Sequence, residues 1–185
     1  TIVPPKEIEA LRYNFVEESP FTVPAGQAIT LPRVSGNMLE LNITIDPGKA
    51  KRFGVKVFCA KAGSEQTPVV VDRGKGVLQV DLRRSGIGQP EYNEFAMAFA
   101  SPDPEHNPVV ASQDAKIKKK TGEKLQLRIF LDKSILEVFA NGRQVLTQVV
   151  YPTSKDATGI QLFTEDEPIK VERIQSWKLF PAMQW

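Results

Sequence analysis

The stretch Leu125-Gln126-Leu127-Arg128-Ile129-Phe130-Leu131-Asp132-Lys133-Ser134-Ile135-Leu136-Glu137-Val138-Phe139-Ala140-Asn141-Gly142-Arg143-Gln144-Val145-Leu146-Thr147-Gln148-Val149-Val150-Tyr151 decides the fold. It consists of short runs of leucine, β-branched and aromatic residues, each stopped by turn formers. Asn141-Gly142 between two such runs is the strongest short hairpin signal, because a type I′ turn needs φ > 0 at both central residues. That turn predicts Ala140 opposite Arg143, Val138 opposite Val145 and Leu136 opposite Thr147. Upstream, Leu131-Asp132-Lys133-Ser134 predicts a second tight connection. With an even-numbered loop there, Ile129 lies opposite Leu136, Leu127 opposite Val138 and Arg128 opposite Glu137. An odd-numbered loop flips every partner.

One face of this meander is then Leu125, Leu127, Ile129, Leu136, Val138, Ala140 and Val145, which is a core face. The other carries Arg128, Phe130, Ile135, Glu137, Phe139 and Leu146. A side meant for solvent is polar throughout. This one is apolar around a single acid–base pair, which predicts a cover and makes those six the candidate domain-interface residues. A wide sheet with a few exposed aromatics is the bland alternative.

Outward from the meander the pattern repeats. Strands are predicted near Phe21–Val23, Ala28–Leu31, Met38–Ile45, Gly54–Ala60, Pro68–Val71, Val77–Leu82, Phe95–Phe99, Gly159–Phe163 and Ile169–Leu179, besides Leu125–Leu131, Ile135–Ala140 and Val145–Tyr151. Asp46-Pro47-Gly48 and Asp72-Arg73-Gly74 supply turns. Only Pro4 to Leu11 reads helical, with Pro4-Pro5 opening it and Glu7 and Glu9 in its first turns. Ser101 to Glu123, with three prolines and Lys118-Lys119-Lys120, reads as one long surface connection. Many short strands without intervening helices predict an all-β fold, a two-sheet antiparallel β-sandwich of the lectin-like jelly-roll kind.

Composition narrows the function. Of 185 residues 41% are hydrophobic and 25% charged, with a net charge of +2, which argues against disorder and against a nucleic-acid partner. No apolar stretch approaches the ~18 residues a membrane span needs, and Thr1 to Arg12 lacks the regions of a signal peptide. Cys59 and His106 are the one cysteine and the one histidine, so neither a disulfide framework nor a Cys/His zinc site is expected, and no cofactor is called for. Cys59 reads as a small buried hydrophobe. His106, between prolines in a polar loop, reads as solvated, as does the Lys116–Lys120 cluster. Gly74-Lys75-Gly76 is a turn without the helix that a phosphate loop needs. Asn42-Ile43-Thr44 fits a glycosylation acceptor, with Asn42 facing out. Tyr92, Tyr151, Trp177 and Trp185 are the aromatic planes that could contact a sugar, although Trp177 also fits a core or domain-contact position.

The order of residues resembles the end of glycoside hydrolase family 32, which includes invertases, levanases and inulinases. Leu127 to Phe139 and Asn141-Gly142-Arg143 carry the resemblance. It continues through Thr147, Tyr151-Pro152, Gly159-Ile160 and Ser176-Trp177-Lys178-Leu179. Pro5 to Arg12 and Asp81-Leu82-Arg83-Arg84-Ser85-Gly86 resemble further landmarks. The resemblance implies the C-terminal sandwich of an enzyme whose active site lies in an N-terminal five-bladed β-propeller. The propeller motifs Trp-x-Asn-Asp-Pro-Asn-Gly, Arg-Asp-Pro and Glu-Cys, with the family's catalytic carboxylates, do not occur here. Asp46-Pro47 and Asp103-Pro104 follow Ile45 and Pro102, and Cys59 follows Phe58. A retaining glycosidase needs two carboxyl groups ~5 Å apart, so the expectation is a chain with no catalytic residues of its own. Residues 1–12 are expected to be a linker and 13–185 the sandwich. The implied partners are the propeller of the same polypeptide, with a homo-oligomer or a fructan as further possibilities, in an extracellular or periplasmic setting. A fructan-binding module and a lectin-like adhesion domain are the alternatives.

Overall fold

The computed structural model describes residues 1–86, 111–117 and 122–181. The predicted strand Phe95–Phe99, together with Tyr92, His106, Lys118–Lys120 and Trp185, lies outside these residues.

A 3₁₀ helix, Lys6–Leu11, precedes thirteen strands among the described residues. They are β1 (Arg12–Glu18), β2 (Phe21–Val23), β3 (Ala28–Ser35), β4 (Met38–Asp46), β5 (Arg52–Cys59), β6 (Thr67–Asp72) and β7 (Val77–Asp81). They continue as β8 (Ser112–Lys116), β9 (Leu125–Asp132), β10 (Ile135–Ala140), β11 (Gln144–Val149), β12 (Gly159–Thr164) and β13 (Ile169–Leu179). Two antiparallel sheets form. One runs β1-β13-β4-β9-β10-β11 with β2 also on β13; the other runs β3-β12-β5-β6-β7-β8.

The core is the space between the sheets, and strand periodicity fills it. Leu39, Leu41, Ile43 and Ile45 of β4 alternate inward, as do Leu125, Leu127, Ile129 and Leu131 of β9 and Leu136, Val138 and Ala140 of β10. Phe53, Val55, Val57, Val69, Val71, Leu78, Val80, Ile160 and Leu162 meet them from the second sheet. Cys59 is buried, and its burial pushes the thiol up to about 11.

Both hairpin registers differ from the sequence expectation. The β9–β10 loop is Lys133-Ser134, one residue later than expected, with Lys133 at φ 54°. Lys133 N donates to Asn37 O at 2.7 Å and Val150 N to Ser134 O at 2.7 Å, so neighbouring segments fix the loop's place. The loop stays two residues long, so the faces hold while the partners move by two. Arg128 lies opposite Phe139, and Glu137 opposite Phe130. In β10–β11, Asn141 and Gly142 have the positive φ values of the expected turn, and Arg143 N donates to Ala140 O at 3.0 Å. The ladder nevertheless starts at Ala140–Gln144, leaving Arg143 as an extra residue. Arg143 turns to Glu123 (2.8 and 2.6 Å), and the Asn141 side chain bonds Gln126 N and Lys124 O, both at 2.9 Å. The one-residue slip sends Leu146 into the core, 3% exposed, and leaves Val145 on the outer face.

The second sheet is tied by Arg52, whose Nη1 meets Asp72 Oδ2 at 2.9 Å and whose Nε meets Glu165 Oε2 at 2.7 Å. Burial alone would raise the Asp72 carboxyl, but the Lys75 amide (2.8 Å) and Arg52 outweigh it and hold it below the ordinary carboxylate range. A depressed native pKa means that the unfolded chain binds the proton more readily. The contribution is therefore complete above the unfolded value, near pH 4, and is lost as pH falls through the native one. Asp72→Asn is expected to lower stability at pH 7 and to flatten its decline below about pH 4, read from urea midpoints across pH.

Candidate docking face

The outer face of the seven-stranded sheet is read along its register. One row crosses it as Trp177, Glu40, Phe130, Glu137 and Thr147; the next as Gln175, Asn42, Arg128, Phe139 and Val145. In the first row Glu40 has no exposed surface at all and Phe130 only 6%. Such burial on a sheet's outer side requires a cover.

Part of that cover is the chain's own beginning. Ile2 N donates to Gly142 O at 2.8 Å, pinning the first residues on the β10–β11 turn. The 3₁₀ helix then follows, and its Ile8 and Leu11 line a cavity of about 200 Å³ with Phe130 and Ile135. Glu9 reaches Arg12 and Arg128, each at 3.5 Å.

Under this cover sits a charge cluster. Arg12 grips Glu40 with two prongs, Nε to Oε2 at 2.8 Å and Nη2 to Oε1 at 2.6 Å, and Arg128 Nε adds a third contact at 2.6 Å. Two guanidinium groups therefore neutralise one buried carboxylate, with Glu9 supplying a second negative charge. Arg12 also lies 4.2 Å from the Trp177 ring centroid, and its Glu40 hydrogen bond raises its already high pKa despite burial. Fixed guanidinium forks of this kind favour one geometry.

The predicted residues fall as follows. Arg128, Phe130, Ile135, Glu137 and Phe139 share this face, with Ile135 38% exposed. Leu146 does not, because of the Arg143 slip. Glu137 is not the direct partner of Arg128; it accepts the Thr147 hydroxyl at 3.1 Å, while Arg128 goes to Glu40. Trp177 is on the face, beside Phe15 with ring centroids 5.2 Å apart. Tyr151 follows β11 at the opposite side, four strand spacings or about 19 Å from β13, where it lines a cavity with Lys133 and Pro152. Trp177 and Tyr151 therefore form no common aromatic platform. Asn42 is half-buried within this face.

Sequence reasoning missed Glu40, Arg12, Phe15 and Glu9. Glu40 had a signal, as the acid at an outward position between inward Leu39 and Leu41. Among the described residues no three His, Cys, Asp or Glu side chains stand together to hold a metal, and no helix is long and apolar enough to cross a membrane.

The fold and this face define a two-sheet antiparallel sandwich domain with a partly covered outer side. Its family follows from comparison: the model for "Glycosyl hydrolases family 32 C terminal" matches residues 7–178, and the chain belongs to that family. It is 32% identical over 175 residues to levanase of Bacillus subtilis (strain 168), a match covering 92% of this chain and 23% of the levanase. Among solved structures it resembles fructan 1-exohydrolase IIa from Cichorium intybus, with TM-score 0.71, 18% identity, and coverage of 97% of this chain and 38% of that one. It also resembles a fructosyltransferase from A. japonicus, with TM-score 0.73, 15% identity, and coverage of 95% and 28%. The chain thus spans well under half the length of these relatives.

Proposed function

We propose that this chain is the non-catalytic sandwich of a fructan- or sucrose-hydrolysing glycosidase, and that it packs against that enzyme's catalytic propeller with the outer face of its seven-stranded sheet. The supporting observation is the face itself, where a fully buried Glu40 held by two arginines is flanked by Phe15, 52% exposed, and Ile135. The described N-terminal residues run along this same face, so a domain preceding them in one polypeptide is tethered there. Burying the apolar rim stabilises docking, while the preset guanidinium cluster fixes its orientation.

The test uses the 185-residue chain and the catalytic portion of the same enzyme, produced separately. Docking is expected to slow hydrogen exchange along β9, β10 and the Lys6–Leu11 helix. Phe15→Asp combined with Ile135→Asp is expected to weaken association about a thousandfold, since two such anchors at ~2 kcal/mol each carry ~4 kcal/mol. Protection confined to the six-stranded sheet rejects the face, and hydrolysis of sucrose or inulin by the chain alone rejects the role.

A further inference from the structure

One corner of the seven-stranded sheet's outer face is apolar and open. The cavity of about 200 Å³ beside the 3₁₀ helix has walls of reachable apolar side chains: Ile8, Leu11, Met38 and Leu179 are half-buried, and Ile135 and Phe180 are exposed. Phe130 closes the bottom, its ring edge-on to Phe139 with centroids 6.0 Å apart. An engineered apolar cavity of ~150 Å³ holds a benzene ring, so this one has room for a single phenyl-sized side chain. It is smaller than the ~300–1,000 Å³ of pockets that take whole small molecules.

The rim is acidic, and the register makes it so. Asp132 lies opposite Ile135 and Glu137 opposite Phe130, so the two acids take one diagonal of a four-residue block and the two apolar residues take the other. Diagonal neighbours of this kind stand ~7–8 Å apart. Glu137 accepts the Thr147 hydroxyl at 3.1 Å, and neither acid forms an ion pair among the described residues. The face's own guanidinium groups are committed, because Arg12 and Arg128 hold Glu40 and reach Glu9. Lys133 follows Asp132 but lines the other cavity, beside Tyr151. Two like charges at this spacing repel, and a cation entering between them is attracted to both.

We infer that this corner is a socket for one aromatic side chain with a lysine or arginine beside it, presented by the catalytic portion of the same enzyme. The ring fills the cavity between the 3₁₀ helix and Ile135, and the cation sits between Asp132 and Glu137. The inference rests on the docking reading of the same face and specifies what the partner presents to it. Charge and tether select that partner together. The acidic rim demands a cation, and Ile8 and Leu11 belong to the segment through which a preceding domain is joined, which raises that domain's local concentration at the socket. Aromatic and arginine anchors seated in pockets carry much of an interface's binding energy.

The test titrates the full 185-residue chain with N-acetyl-Phe-Arg-amide and with N-acetyl-Phe-Glu-amide, each to about 50 mM because ligands of two residues bind in the millimolar range. Methyl signals of Ile8, Leu11 and Ile135 report the location. The arginine peptide is expected to give saturable shifts there, and the glutamate peptide to bind about fivefold more weakly. Asp132→Asn with Glu137→Gln is expected to abolish that preference at an unchanged melting temperature, since Asp132 is exposed and a glutamine still accepts from Thr147. The same double variant is expected to weaken association with the catalytic portion about fivefold. Docking that protects β9 and β10 but ignores the double variant overturns the socket alone. No docking by the parent chain overturns the docking reading and the partner named here, while the peptides still decide the socket's chemistry. The socket also falls if the peptide shifts lie elsewhere or the two peptides bind equally. It falls in favour of the chain's own end if either peptide binds only after residues 182–185 are removed. Self-association of the chain that depends on Asp132 and Glu137 replaces the catalytic portion with a second copy.

Discussion

Glu40→Ala is expected to cost about 3–5 kcal/mol of folding stability, a large share of what a single domain has. The carboxylate has no exposed surface and holds the side chains of Arg12 and Arg128 at 2.6–2.8 Å. Removing it leaves two guanidinium groups facing one another under the cover, with only Glu9, 3.5 Å from each, to compensate. Repulsion and desolvation then act together. Urea unfolding should show a lower midpoint with an unchanged slope. The triple change Glu40→Leu, Arg12→Met and Arg128→Met removes the buried acid and both arginines, leaving only Glu9, 42% exposed, and should recover most of the loss, as concerted replacement of buried ion pairs does. A triple variant no more stable than the single one would show that the packing of this row, and not the orphaned charges, sets the effect.

Gly54→Ala is the second large effect. A Cβ at this position would stand 2.0 Å from the Val69 carbonyl oxygen and 3.2 Å from Val70 Cα, both backbone atoms of β6. Nothing flexible can move aside. β5 has β12 on its other side, so relief requires shifting a strand inside the six-stranded sheet. The constraint is steric and does not come from a left-handed backbone. Overpacking of this severity costs about 3 kcal/mol or more, which for a domain of this size lowers the melting temperature by roughly 6–12 °C. A melting temperature within about 2 °C of the parent would mean that the two strands separate at almost no cost.

The sequence carried the fold wherever inward positions alternate. β10 and β13 are found with the residue bounds that the pattern predicts, and β4 and β9 to within one residue. Two strands were illegible for different reasons. In β1, Asn14 at φ 51° makes a bulge that breaks the alternation, and Glu17 and Glu18 disguise the rest. β8, Ser112-Gln113-Asp114-Ala115-Lys116, is an edge strand with a polar side, so what read as part of a long surface connection is paired to β7. The Pro4–Leu11 segment reads helical and is so, but as a 3₁₀ helix from Lys6.

The candidate face was legible as a set of positions and not as a network. The alternation placed Arg128, Phe130, Ile135, Glu137 and Phe139 on one side without reference to any other strand. Their partners depended on where each turn closes, and that was decided by Asn37, Val150 and Glu123, which no local pattern connects to the turns. Arg128, in the meander read by itself, pairs with Glu137, the acid on the adjacent strand. The acid it holds is 88 positions away in the chain, on a strand whose neighbour relationship only the folded sheet creates.

The pinning of Ile2 to Gly142 and of Glu9 to Arg128 bears on how such domains can be recombined. The opening segment is a lid fastened at both ends over a charged pit. A chimera joined at Arg12 would open that pit to water and loosen Arg12 itself. A seam that keeps the first eleven residues with the sandwich carries its own closure into any new setting.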